Sequence, residues 1–205
     1  MSMTTTFYLI RHAESLAKEK GIVQGAGLSV PLSGEGKRQA EALAQTLKGE
    51  KFDAIFSSQA VRAIETAKPV RALFPDTPYS EHAELNERSK GEAEGVTKEE
   101  FKRRYPEIQA AWAREEDPRV SGGESFADVE KRVMPFLEKL ASEQTGKRLL
   151  LIFHGNVIRV ILGAILGAPV NFRHRIKQDY CALNVIEYDD ADCRRSILKV
   201  NETLL

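Results

Sequence analysis

The sequence predicts an α/β fold, a three-layer α/β/α arrangement around a largely parallel sheet, with a helical insertion over one sheet edge. Three observations carry this. Short apolar runs that suit buried strands alternate with stretches of helical apolar spacing. Two of those runs end in a histidine. The segment from about 76 to 125 breaks the alternation: it is polar, Glu-rich and dotted with Gly and Pro.

The first strand is Phe7-Tyr8-Leu9-Ile10, ending at Arg11-His12. A turn with Ser33 as cap precedes a helix from Lys37 to Leu47, whose apolar residues Ala40, Leu43, Ala44 and Leu47 form one stripe. Lys51 to Ser58 reads as a second strand, and Val61 to Leu73 as the helix after it. Inside the insertion, Thr97 opens a capping box and a helix through about Tyr105, and Pro106 starts a second piece containing Trp112. Ser125 to Gln144 is a long amphipathic helix. Arg148 to Phe153 is a third buried strand, ending at His154, and a helix runs from Val157 to Leu166. Cys181–Tyr188 and Arg195–Val200 are the last strands, a hairpin around Asp189-Asp190. With 205 residues, one domain with a modest insertion accounts for the length.

Composition narrows the function classes. Apolar residues make up 42% and charged residues 29%, and the formal net charge is zero, which speaks against a non-specific nucleic-acid binder. The most apolar run, Val157 to Val170, contains Arg159 and falls short of the roughly 20 residues a bilayer needs. Met1 to Thr6 shows no basic start or apolar signal core. Cys181 and Cys193 fit no zinc or redox spacing and are expected to be reduced thiols. The expectation is a cytoplasmic protein without membrane or nucleic-acid partners. Edge strands late in the chain suggest a homodimer.

In open α/β sheets, sites lie at the carboxyl ends of strands. His12 and His154 occupy that place on two strands, and if the strands are neighbours their rings share one crevice. Ser57-Ser58 closes the middle strand and places Arg62 at the start of the next helix; Arg11 precedes His12. Two arginines, two histidines and helix N-termini at one edge form a site for a phosphate dianion. Other phosphate chemistries fail on the residues. Gly36-Lys37 is followed by Arg38, so there is no Walker loop. Val30 stands where a dinucleotide loop needs glycine. No cysteine phosphatase loop, aspartate cluster or metal-ligand spacing is present, so neither a metal nor a cofactor is expected. His82 and His174 read as surface residues, and Lys102-Arg103-Arg104 as a solvated helix face.

Leu-Ile-Arg-His-Ala-Glu-Ser (9–15) resembles the Arg-His-Gly-Glu signature of the histidine phosphatase superfamily, the phosphoglycerate mutase-like proteins. The resemblance continues through Pro31-Leu32-Ser33, Gly36 and Gln39-Ala40; Ser57-Ser58, Arg62-Ala63 and Thr66-Ala67; Leu85-Asn86-Glu87, Gly91 and Glu94-Gly95; Gly122-Gly123-Glu124-Ser125; and His154-Gly155 with Ile158-Arg159. Each motif is weak alone, but their order is specific.

The resemblance implies a metal-independent phosphomonoesterase that acts on a small phosphorylated substrate through a phosphohistidine intermediate. His12 would be the nucleophile; Arg11, Arg62 and His154 would hold the phosphoryl oxygens; Glu87 would be the acid and then the base. Gln24, Lys18 and Gly155 would be further substrate contacts. Three departures stand out. Ala13 replaces the usual glycine, Lys18 stands where the mutases carry Asn, and Glu87-Arg88-Ser89-Lys90-Gly91 replaces their Glu-Arg-His-Tyr-Gly. The last departure weighs against the mutase alternative. A non-catalytic phospho-ligand binding module is the other alternative, although no catalytic group is lost. The insertion is expected to set the substrate: Tyr105 and Trp112 either line an apolar wall or anchor the insertion, and Lys90, Arg114 or Arg119 could reach a charged substrate.

Overall fold

The computed structural model describes residues 3–192 and 194–203; the expected thiol of Cys193 lies outside the described residues. The chain runs β1 (Thr4–Arg11), α1 (Leu16–Glu19), α2 (Gly34–Thr46), β2 (Ala54–Ser57), α3 (Val61–Leu73), β3 (Tyr79–Glu81), α4 (Lys98–Arg104), α5 (Pro106–Ala113), α6 (Phe126–Glu143), β4 (Arg148–Phe153), α7 (Gly155–Ile165), β5 (Leu183–Asp189) and β6 (Arg195–Glu202). The six strands form one sheet in the order β3-β2-β4-β1-β5-β6. β3, β2, β4 and β1 are parallel, while β5 and β6 are antiparallel additions at one side.

Alternation along β4 explains the three layers. Leu149, Leu151 and Phe153 face α6 and α7, in a core with Phe7, Leu9, Val133, Leu137 and Val157. Leu150 and Ile152 face the opposite side, packing with Ala40, Leu43, Ala67 and Val70 of α2 and α3. A strand buried on both faces reads as a continuous apolar run, which is what Leu149 to Phe153 is. The helix starts are fixed by local chemistry. Ser33 Oγ accepts from Gly36 N at 3.0 Å, Thr97 caps α4 through Glu100 N, and Ser125 with Asp128 makes a full capping box on α6.

The structure corrects the sequence reading at several places; α2 starts at Gly34, directly after its Ser33 cap, rather than at Lys37. Tyr79–Glu81, assigned to the inserted segment, is the edge strand of the sheet; three residues are too few to show a period. α7 starts at Gly155, immediately after His154 as its N-cap, rather than at Val157. The rest of the insertion carries its own small core of Ala93, Phe101, Ile108 and Val120, packed by Trp112 and Tyr105. Trp112 stacks on Phe101 at 5.5 Å. The aromatics therefore anchor the insertion. Arg114 and Arg119 pair with Glu116 and Asp128 in solvent. Among the described residues, no helix is long and apolar enough to cross a membrane.

Candidate active site

β1 and β4 are adjacent and in register, with Arg11 opposite Phe153. His12 N donates to Phe153 O at 2.8 Å, so the strand pairing continues one residue beyond β1. It brings the His12 and His154 rings to a centroid separation of 5.0 Å, edge to face. Both rings are buried. Beside them, Arg62 projects from the first turn of α3 and is 0% exposed. Its Nη1 and Nη2 donate to Gly27 O at 2.7 Å and Gly25 O at 2.9 Å. Arg11 lies over the Tyr180 ring at 3.8 Å and donates to Gln178 O at 2.6 Å.

One hydrogen bond fixes the tautomer of His12. His12 Nδ1 is 2.7 Å from Ala13 O. A carbonyl only accepts, so Nδ1 carries the hydrogen and Nε2 keeps its lone pair. His154 Nε2 is 2.7 Å from Ser58 Oγ. Burial, then the Arg62 charge, pushes both imidazoles well below the ordinary histidine range; Arg11 adds to this at His12, and His12 and Arg11 add to it at His154. Both rings are therefore neutral near pH 7. Burial also lowers Arg62, but a guanidinium starts so high that it stays charged.

Four nitrogens here are buried and have no hydrogen-bond partner: Arg11 Nε, Arg62 Nε, His154 Nδ1 and Gln24 Nε2. Arg11, His12, Gln24 and Arg62 line a cavity of about 450 Å³ with Lys18, Glu87, Ile22, Lys98, Asn156, Asp179 and Tyr180. Glu87 Oε1 accepts from Arg88 N at 2.8 Å, and Oε2 from Asn156 N at 3.4 Å. Of the eight residues to which the resemblance gave a role, all but His154 and Gly155 line this cavity. His154 stands behind it, against His12. Gly155 packs on Arg11, where a Cβ would lie 3.3 Å from Arg11 Cδ; its smallness gives that side chain room. A groove of about 580 Å³ between α2 and α3 is larger but shares none of these residues. Its lining, including Ala40, Ala44 and Leu73, offers no comparable cluster of buried donors.

Residues 7–203 match the model of the histidine phosphatase superfamily, branch 1. The chain belongs to this superfamily. Like the histidine phosphatases it resembles, it is matched along nearly its whole length. It is 34% identical over 197 residues to phosphoserine phosphatase 1 of Hydrogenobacter thermophilus, covering 95% of this chain and 91% of that one. It is 31% identical over 185 residues to the 2,3-bisphosphoglycerate-dependent phosphoglycerate mutase 2 of Gloeobacter violaceus, covering 88% and 84%. The structure of Bacillus stearothermophilus YhfR superposes with a TM-score of 0.88 at 26% identity, covering 97% of this chain and 98% of that one. Both phosphatases of small phosphorylated metabolites and mutases thus stand among its relatives.

Within this histidine phosphatase the three departures have local explanations. Ala13 is not among the residues with positive φ; its N–H donates to Thr66 Oγ1 at 3.0 Å, so the missing glycine leaves no strain. Lys18 is exposed and lines the cavity mouth. Lys90 does not line the cavity: its Nζ sits 4.9 Å from the Trp112 ring, and burial, then Arg88, lowers its pKa to about 7. His174 is exposed as expected. His82 is a correction, since its ring packs between Phe56 and Phe136 at 5.5 and 4.9 Å. Sequence reasoning missed Tyr180, Asn156 and Lys98. Thr66 and Ser58 lay within quoted motifs, so their signal was present without a role.

Proposed function

We propose that this chain is a metal-independent phosphomonoesterase that acts on a small phosphorylated metabolite through a phosphohistidine at His12. One observation carries this reading. The buried, unpartnered nitrogens of Arg11, Arg62 and His154 surround a neutral histidine whose Nε2 lone pair is free. A phosphoryl dianion supplies acceptors for all three donors. Each unmade hydrogen bond otherwise costs about 1–3 kcal/mol.

In the first half-reaction, the His12 Nε2 lone pair forms the N–P bond as the P–O ester bond breaks. Protonated Glu87 gives its proton to the departing alkoxide. Arg11, Arg62 and His154 Nδ1–H stabilise charge on the equatorial oxygens; Ser58 O–H donates to His154 Nε2 and so keeps the hydrogen at Nδ1. In the second half-reaction, Glu87 takes a proton from water, the new O–P bond forms and the N–P bond breaks. Inorganic phosphate leaves, and Glu87 regains its proton for the next cycle. Gln24 Nε2 and Lys18 offer further donors to the substrate.

A cytoplasmic setting rests on cysteine usage: Cys181 is a buried free thiol. A homodimer would pair through β6, the terminal strand of the sheet, which leaves Leu198 and Val200 about half exposed.

The test is phosphate release from p-nitrophenyl phosphate and a panel of metabolite monoesters in EDTA, with His12→Ala as control. Release that survives EDTA and falls by at least about 10³-fold in the variant is expected. Residual activity within about tenfold of wild type would sink the nucleophile assignment. Interconversion of 3- and 2-phosphoglycerate without release would move the reading to a mutase.

A further inference from the structure

Arg62 does not hold its own aim. It is fully buried, makes no ion pair at salt-bridge distance among the described residues, and is oriented by two backbone carbonyls, Gly25 O and Gly27 O. Those carbonyls belong to a loop between α1 and α2 without regular structure of its own. Backbone bonds pair Val23 with Val96 and Gly95, and at residues 26 and 27 the loop is held by a carboxylate from the inserted segment. Glu94 Oε1 accepts from Ala26 N at 2.9 Å, and Glu94 Oε2 from Gly27 N at 2.9 Å. The same Oε1 takes Lys90 N at 2.9 Å and Ser89 Oγ at 3.2 Å. Gly25 C=O and Ala26 N–H are the two poles of a single trans peptide unit. One end receives the guanidinium of Arg62 and the other donates to the carboxylate of Glu94. Both bonds are charge-assisted, and each polarises the peptide in the sense that strengthens the other. Gly25 is what allows the approach, since a Cβ there would lie 2.2 Å from Glu94 Oε1.

Resting on the phosphatase reading above, we propose that Glu94 is a positioning residue. Through the Gly25–Ala26 peptide it holds Arg62 at the angle that meets a phosphoryl group, and so ties the inserted segment to the phosphate pocket. Glu94 itself does not line the cavity. Its action on phosphate passes through Arg62.

The experiment is a double-mutant cycle of Glu94→Gln with Arg62→Lys, read as the dissociation constant of inorganic phosphate and as kcat/KM on p-nitrophenyl phosphate. Glutamine keeps the size but sets an NH₂ against amide donors. Glu94→Gln alone is expected to weaken phosphate roughly tenfold. In the Arg62→Lys background the further loss is expected to be under about twofold, because the group that Glu94 aims is already gone. Full losses that multiply in the double variant would show that Glu94 is merely structural and overturn the proposal. Gly25→Ala is the second variant, should Glu94→Gln not fold. It keeps the carboxylate but forces it off the loop, and it should give the same loss and the same non-additivity; a Gly25→Ala protein that binds phosphate like wild type also overturns the proposal. Phosphate binding does not depend on turnover. A wild type that binds phosphate without turning over substrate therefore defeats the phosphatase reading alone, while one that binds no phosphate defeats both.

Discussion

The sheet edge and the inserted segment are built on opposite principles. At the sheet edge, His12 and His154 extend two adjacent parallel strands and are buried, with rings 5.0 Å apart. Moving either ring means moving a strand. The insertion rests on a core of four buried residues, Ala93, Phe101, Ile108 and Val120, and its Arg114 and Arg119 pair in solvent. It meets the pocket through Glu87, Lys98 at the cavity wall, the Glu94 clamp and backbone pairing of residues 21–23 with 95–98. A rigid edge suits a group whose charge and shape are constant, such as phosphate. A small, lightly anchored cap suits the part of a substrate that varies.

This contrast can be broken most severely at the edge. Arg62→Ala should lower kcat/KM on every phosphate ester by about 10²–10³-fold, since it removes a buried charge aimed at the transition state. A loss confined to certain leaving groups would place Arg62 with substrate selection instead.

Glu87 stands between the two regions, and its variant sharpens the comparison. Glu87→Gln should slow alkyl phosphates about 10²-fold or more and p-nitrophenyl phosphate much less, because that phenoxide leaves without a proton. Equal losses on both would remove Glu87 from the acid role.

Acid pH probes the edge through stability. Burial and Arg62 hold His12 and His154 well below 6.5 in the fold, whereas in the unfolded chain they titrate near about 6.5. Below that value the unfolded chain binds more protons than the fold. The stability held in the neutral rings is therefore complete above it and is lost as pH falls toward the folded pKa. Tm should drop between about pH 7 and pH 5, and His154→Gln should flatten that drop. A variant with the wild-type slope would contradict the buried neutral pair.

The smallest effect on chemistry belongs to the cap. Trp112→Ala removes the ring stacked on Phe101, at a cost of about 2 kcal/mol for a half-buried aromatic. It should raise KM for metabolite esters while kcat on p-nitrophenyl phosphate stays within about threefold. A matching collapse on both substrates would mean that the cap and the edge are one unit.

The same contrast governs what could be read from the sequence. The strands ending at His12 and His154, the Arg62 helix and the caps at Ser33 and Thr97 were legible, because periodicity and capping are local. β3 was not, since three residues carry no period and its pairing with β2 is a tertiary fact. Tyr180 was invisible for a similar reason: it reaches Arg11 from the loop before β5, far away in sequence. Glu94 was visible as part of Glu94-Gly95, but its work depends on where the loop at 25–27 comes to rest. Trp112 left two readings open because an aromatic at helical spacing suits a wall and an anchor equally.

The central claim is the covalent step at His12. Wild-type protein mixed with p-nitrophenyl phosphate in EDTA, quenched in alkali within the first turnovers and digested, should yield one phosphorylated peptide, with the phosphoryl group on His12. That adduct should be acid-labile and should decay as phosphate is released. Turnover with no phosphorylated peptide, or with the phosphoryl group on another residue, would contradict the account.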